Sequence, residues 1–433
     1  MERASLFFIQ RSSPLEMNQK GSWTRMSSIK IAILGFGTVG QGVYKTIETH
    51  QKELESVLGK KVEVAAVLIK NKEKDRGIHP GVLVTDKFEE IIDLNQLDVV
   101  VEAIVGNEPA YTYLQRAIQR GCHVITANKE MFASYGTDLK ELAAQHDVSI
   151  GFEATVAGGV PVIQTIQQLL NINRIKKIEG ILNGTSNYIL SEMRAKGESF
   201  SAALTAAQEK GYAEADPTND VEGFDAFYKL MILSEIAFGG KPDWERVPRE
   251  GITAITREQI EKAEKLGLRF KLIASIQLIN GEIVGSVRPT LVSKSHPLYH
   301  IEGVENSVSI EADIVGRITL QGPGAGMLPT ASAVIEDLIH AVLKTGVPGN
   351  SFRMQQQTPE DSQVKEKQNW LILNPDDLDH FPLSLSSSAE LEGSCLIQAD
   401  ENTVHSLRQE NRNASFFEVL GEFMLEERQL VKL

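Results

Sequence analysis

"IKIAILGFGTVGQGVYKTIETH", residues 29–50, changes periodicity part-way along. Ile29 to Leu34 form a short β-branched and apolar run suited to a strand. After a glycine turn, Val39, Val43 and Ile47 recur at helical spacing. Gly35, Gly37 and Gly40 stand in the spacing G-x-G-x-x-G. Gly35 permits the tight turn, Gly37 lets backbone approach a pyrophosphate, and Gly40 lets the helix pack closely on the strand. The pyrophosphate would lie at the helix N-terminus. A plain strand-to-helix turn is the alternative. The position between strand and helix favours dinucleotide binding.

The alternation continues outward. "VEVAAVLI" (62–69) and "DVVVEAI" (98–104) read as strands, the second apolar enough for a sheet covered on both faces. "YTYLQRAIQRG" is a helix closed by Gly121, "HVITA" a strand, "DLKELAAQHD" a helix and "VSIGFEA" a strand. Strands alternating with helices predict a doubly wound, mostly parallel sheet over residues 26–155. The pattern then changes. Helices at "GGVPVIQTIQQLL", "GTSNYILSEMRAKG" and "FSAALTAAQEKG" mix with strands at "RIKKIEGILN", "LIASIQLING", "EIVGSVRPTLV", "NSVSIEAD" and "GRITLQGPGAG". Residues 156–327 therefore read as a second, α+β domain, and a helix at 328–346 closes this part of the chain. Residues 347–383, rich in Gln, Asp and Pro, read as a linker, and residues 384–433 as a small strand-and-helix appendage. The polar, aperiodic residues 1–25 read as a disordered or non-native tail, because Met26 directly precedes the first convincing strand.

Composition sets the boundaries of function. At 433 residues the chain exceeds what one hydrophobic core usually organises. A net charge of −14 argues against nucleic acid or an anionic membrane as main partner. Two cysteines, Cys122 and Cys395, cannot make a disulfide framework or a cysteine-based zinc site, and they suit a reducing cytoplasm. No apolar run reaches transmembrane length. The expected partner is a small molecule.

The end of the second strand bears on the cofactor. An acid there would bond the ribose hydroxyl of NAD, and a basic residue would suit the phosphate of NADP. "VLIKNKEKDR" offers Lys70 and Asn71, which favours NADP with NAD still open; a solvated lysine loop is the alternative.

"GYAEADPTNDVEGFDAFYKLMIL", residues 211–233, sets five acids and one lysine where an apolar helix begins. Asp225 and Lys229 are four apart and share a helix face, while Phe227, Leu230 and Met231 cover much of the rest. Hydride transfer to a carbonyl leaves an alkoxide that needs a proton, and the reverse needs a base. A partly desolvated lysine serves both directions. Glu214, Asp220 and Asp225 supply more negative charge than one lysine neutralises, leaving room for a cationic substrate group. The alternative is a helix capped by Asp220 with a surface Asp225–Lys229 pair, worth about 0.3–0.5 kcal/mol. Lys129, after the strand "HVIT", stands where ligands collect at open parallel sheets, or is a loop lysine. "EATVAGGVP" (153–161) is an irregular loop that reads more simply as a hinge than as a cation site.

Together these segments resemble homoserine dehydrogenases. The resemblance runs over residues 29–345 through "GFGTVG", "TANKE", "EATVAGGVP", "GILNGTSNYIL", the acidic stretch 211–233 and "GPGAGMLPTASAV", in the family's order. It implies a Rossmann-type doubly wound parallel sheet with a second α+β catalytic and dimerisation domain. It implies NAD(P)-dependent interconversion of L-aspartate 4-semialdehyde and L-homoserine, in threonine, isoleucine and methionine biosynthesis. Lys229 would be proton donor and acceptor. Glu214 and Asp225, with Asp220 and Lys129 near, would bind substrate. Gly35, Phe36, Gly37, Thr38, Val39, Gly40, Lys70, Lys129, Gly211 and Gly326 would meet the cofactor. Glu153 with the backbones of Val156, Gly158 and Val160 matches the family's sodium site. A homodimer or higher homo-oligomer is implied.

Two other readings remain. An aspartate semialdehyde dehydrogenase needs a cysteine nucleophile, for which Cys122 and Cys395 are poorly placed. A catalytically silent dinucleotide-binding regulator would be expected to lose Lys229 or Glu214, and both are present. The C-terminal part resembles only loosely the ACT module many members carry, since about one strand–helix–strand unit is legible there.

Overall fold

The computed structural model describes residues 28–71, 76–343, 367–374 and 394–423. The expected tail at residues 1–25 lies outside them. The first half contains strands β1 (Ile29–Leu34), β2 (Val62–Leu68), β3 (Leu83–Thr85), β4 (Val99–Glu102), β5 (His123–Thr126) and β6 (Ile150–Gly151). Between them run helices α1 (Thr38–Thr49), α2 (Gln51–Leu58), α3 (Phe88–Ile92), α4 (Ala110–Gln119) and α5 (Lys129–Gln145). The six strands form one parallel sheet in the order β3-β2-β1-β4-β5-β6.

Alternation along β1 explains how both sheet faces are covered. Ile31 and Ile33 join Val43, Ile47 and Leu54 of α1 and α2 on one side. Ala32 and Leu34 join Phe88, Leu114 and Leu139 of α3, α4 and α5 on the other. The first face is completed from far along the chain. Helix α12 (Met327–Leu343) packs on α1 and adds Ala331, Val334 and Leu338 to that core. Residues 344–346 of the expected helix lie outside the described residues.

The second half begins with α6 (Val162–Gln164), a single turn that widens into a π-helix at Thr165–Leu169 instead of the continuous helix expected from "GGVPVIQTIQQLL". The Thr165 hydroxyl bonds the Pro161 carbonyl at 2.6 Å, competing with the backbone ladder. Then come β7 (Ile175–Ile181), α7 (Gly184–Lys196), α8 (Phe200–Glu209), α9 (Thr218–Val221), α10 (Phe224–Phe238) and α11 (Arg257–Lys265). Strands β8 (Arg269–Ile279), β9 (Glu282–Val292), β10 (Glu305–Ala312) and β11 (Gly316–Pro323) follow.

The C-terminal residues correct two expectations. The segment 347–383 is not all linker, because β12 (Gln368–Leu373) lies in it with Trp370, Leu371, Ile372 and Leu373 buried. Six residues set in a polar stretch are too short to show a period. Nor do β12, β13 (Ser394–Ala399), α13 (Glu401–Glu410) and β14 (Ser415–Leu420) stand apart as an appendage. They extend the second sheet, in the order β11-β10-β7-β8-β9-β14-β12-β13, with β14 parallel to β9. Arg288 of β9 fastens the join. It pairs with Glu401 at 2.8 Å and Glu418 at 3.2 Å, and lies 4.9 Å from the Trp370 ring centre.

Helix α10 is central to the second core. It packs against β7, β8 and β9 on one side and against α5 on the other. Leu230, Met231, Ile232 and Leu233 are all buried, so apolar residues around the whole helix are what its location demands.

Candidate active site

The glycine turn is built as its spacing requires. Gly35 has φ +94°, and a Cβ there would lie 2.6 Å from the Ala103 carbonyl oxygen. A Cβ on Gly40 would lie 2.1 Å from the Gly35 carbonyl oxygen, whereas one on Gly37 would meet nothing within 4 Å. Gly37 is the N-cap of α1, and no side chain caps that helix. Gly37 and Thr38 are exposed, Val39 half-buried, and Phe36 is buried edge-on against Tyr44, its ring centre 5.7 Å away. The result is an open helix N-terminus beside a surface with no side chain, a cradle that fits a pyrophosphate. Lys70 is exposed just beyond β2.

A second set of residues is assembled where α5 meets α10. Asp225 is buried, and its carboxylate bonds Lys229 Nζ at 2.7 Å and Lys129 Nζ at 3.1 Å. Lys229 also donates to the Leu182 carbonyl at 2.7 Å. Asn183 Nδ2 donates to Asp225 at 2.9 Å and to Asp220 at 2.7 Å. Burial pushes the Asp225 carboxyl up, but Lys229 and Lys129 outweigh it and hold it below the usual carboxylate range. Asp220 moves the other way, raised by burial and by the charge of Asp225. Lys129 is raised, first by Asp225. Asp220 does not cap α10, whose N-cap is Gly223 at φ +80°.

Lys129 is placed by a chain of buried bonds. The Thr126 hydroxyl donates to Glu102 at 2.5 Å, and the Asn128 N–H donates to Thr126 Oγ1 at 3.0 Å. Asn128 Oδ1 then caps α5 through Met131 N–H at 3.1 Å, so Lys129 opens the helix. Farther along both helices, Glu235 of α10 is bonded by Lys140 and Thr137 of α5 and pairs with Lys241 at 2.8 Å.

Other expected residues lie apart from this cluster. Glu214 is exposed on the turn after α8, where its carbonyl accepts from Gln208 at 3.0 Å. Gly211 (φ +73°) and Gly326 (φ +122°) are exposed turn glycines. The Glu153 carboxylate accepts from the N–H groups of Ile163 at 2.9 Å and Gln164 at 2.7 Å. It therefore anchors the start of α6, and burial pushes its pKa to about 8. Ala157 (φ +55°) and Gly158 (φ +54°) turn the adjoining loop, in which Val156 and Val160 are buried. Cys122 is buried with its thiol pushed up to about 11, which removes it as a nucleophile.

Comparison with known proteins matches both halves. Residues 35–153 fit the family described as homoserine dehydrogenase, NAD binding domain, and residues 161–339 the family described as homoserine dehydrogenase. The homoserine dehydrogenase of Bacillus subtilis is 42% identical over 331 residues, 76% of each chain. That of Neisseria gonorrhoeae is 43% identical over 315 residues, 72% of each. The chain belongs to the homoserine dehydrogenase family. A solved homoserine dehydrogenase from Thiobacillus denitrificans superposes with TM-score 0.80 at 33% identity, covering 91% of this chain and 98% of that one. A hyperthermophilic archaeal homoserine dehydrogenase in complex with NADPH superposes at 0.64 and 28% identity, covering 73% and 98%.

Membership in the homoserine dehydrogenases makes the chain an NAD(P)-dependent oxidoreductase of amino-acid biosynthesis with a nicotinamide dinucleotide cofactor, and disfavours the silent-regulator reading. Asn183 and Glu235 were missed in the sequence. "ILNG" marks a strand-to-helix junction, but nothing in its spacing points toward Asp220 and Asp225.

Proposed function

We propose that this homoserine dehydrogenase interconverts L-aspartate 4-semialdehyde and L-homoserine, with Lys229 as the proton donor and acceptor. The observation that carries the reading is the buried Asp225 carboxylate joined to both Lys229 and Lys129. A bound nicotinamide dinucleotide supplies or takes up the hydride. Lys229 Nζ gives its proton to the oxygen of the reduced aldehyde, or takes it from the alcohol in the reverse direction. Asp225 holds that ammonium in place. Lys129, whose side chain is half-exposed, meets the substrate carboxylate, and Glu214 and Asp225, with Asp220 close by, bind its ammonium. The exposure of Glu214 leaves it free to turn inward.

The expected cofactor-binding residues are Gly35 to Gly40, Lys70, Lys129, Gly211 and Gly326. Lys70 and Asn71 at the end of β2 support NADP over NAD, since neither is acidic. A sodium ion would be held by main-chain oxygens of Glu153, Val156, Gly158 and Val160, a hard donor set; the Glu153 carboxylate is already engaged by amide groups. Both cysteines are free and buried, in keeping with a cytoplasmic setting. Among the described residues no helix is long and apolar enough to cross a membrane. A homodimer or larger assembly through the second domain rests on the motifs of that domain, and sedimentation tests it.

The deciding experiment is homoserine-dependent dinucleotide reduction, with NADP and NAD side by side, for wild type and Lys229→Ala. Activity that is lost in the variant while dinucleotide still binds supports the reading. More than a tenth of the wild-type rate in Lys229→Ala would sink it.

A further inference from the structure

Asn183 stands between two acids and a helix. Its side chain is buried at the junction of β7 and α7. Oδ1 accepts from the Ser186 N–H at 2.8 Å and from the Ser186 hydroxyl at 2.9 Å. Nδ2 donates one hydrogen to Asp220 and the other to Asp225. Every donor of the amide is used, and the oxygen is used twice, so only one amide orientation satisfies the site. The flipped amide would aim its oxygen at two carboxylates and its hydrogens at an N–H.

A cap alone does not need this residue. Ser, Thr and Asp cap helices as well as Asn, because only an acceptor is required. What asparagine adds is an uncharged double donor on the far side of the cap. Asp225 has two lysines to balance it, while Asp220 is bonded to Asn183 alone in the cluster. Two carboxylates this close repel unless something donates to both. We propose that Asn183 is a positioning residue whose amide hydrogens hold Asp220 and Asp225 together as one acidic unit, shaping the pocket that receives the substrate ammonium. The proposal rests on the reading of the site given above.

Asn183→Asp separates the two roles. It keeps the acceptor that caps α7 and replaces the shared donor with a third negative charge. In the full-length protein, kcat/KM for L-homoserine with NADP should fall about 10- to 100-fold, the range for a lost hydrogen bond to a charged group. The loss should sit in KM more than kcat. It should ease as pH is lowered, because the protonated carboxyl can donate again. NADP affinity, read by fluorescence, should stay unchanged. Asn183→Ser, which also caps but carries no charge, should raise KM without altering the pH profile, and stands in if the first variant does not fold. Wild-type KM and pH profile in these variants, with Lys229→Ala inactive, would overturn the proposal alone. An active Lys229→Ala would overturn the site reading and the proposal with it.

Discussion

Lys129 and Asp225 stand 3.1 Å apart although they belong to helices of different sheets, α5 from the parallel layer and α10 from the mixed one. The proposed reaction centre is thus assembled only when the two layers meet. Asp225→Asn should test this directly, since an amide cannot balance two ammonium groups. We expect kcat/KM for homoserine to fall at least about 100-fold, the scale of a lost acid–base arrangement. Dinucleotide affinity measured by titration should remain within about twofold, because the glycine turn is untouched.

The second contact between those helices predicts a stability effect. Glu235 is buried and bonded by Lys140, Thr137 and Lys241. Removing it leaves Lys140 and Lys241, both largely buried, without their shared partner. Glu235→Ala should cost about 3–5 kcal/mol, the range for breaking a buried pair, measured as a shift in the urea midpoint. Glu235→Gln should cost less, because it keeps an acceptor.

Gly37 and Gly40, three residues apart in the glycine turn, should respond differently to the same substitution. A Cβ at Gly40 collides with the Gly35 carbonyl, but one at Gly37 points into open space. Gly40→Ala should lower the melting temperature and weaken dinucleotide binding together. Gly37→Ala should leave melting unchanged and still weaken NADP binding by roughly tenfold, about 1.4 kcal/mol. Calorimetry and cofactor titration on both variants check the contrast.

Glu102 predicts a pH dependence. Burial raises its pKa to about 7, against the ordinary value of 4.5, despite bonds from Thr126 and the Ile104 N–H. The folded state therefore holds a proton that the unfolded state releases, so stability falls as pH climbs from about 4.5 to 7 and the penalty is complete above that. Glu102→Gln should be more stable than wild type at pH 8, with the advantage gone near pH 4. Urea midpoints across this range measure it.

Much of this architecture is legible in local pattern. The change from strand to helical period around Gly35, and the all-round apolar character of α10, report burial that the two layers then supply. The acids and lysine of residues 211–233 announce a charged site for the same reason, since an apolar helix seldom carries them idly. What was not legible depends on distant partners. Asn183 faces Asp220 and Asp225 because β7 ends beside α10, and no spacing encodes that. β12 hides because six residues cannot display a period, and its place beside β14 is settled by pairing. The loop at 153–161 reads from its residues as a hinge, with Glu153 a cation ligand only by resemblance. That its carboxylate accepts from the N–H groups that start α6 depends on how the loop folds back, which no spacing encodes.

The late arrival of α12 has a consequence for biosynthesis. A ribosome delivers β1 to β6 in one continuous stretch, but the layer that covers Ile31 and Ile33 is finished only by a helix beginning at Met327. Until that helix leaves the exit tunnel, α1 and α2 cover that face incompletely, and the apolar surface that Ala331, Val334 and Leu338 will bury stays open. Exposed apolar surface of this kind is what chaperones bind, so the nascent sheet stays open to them while the whole middle section is synthesised.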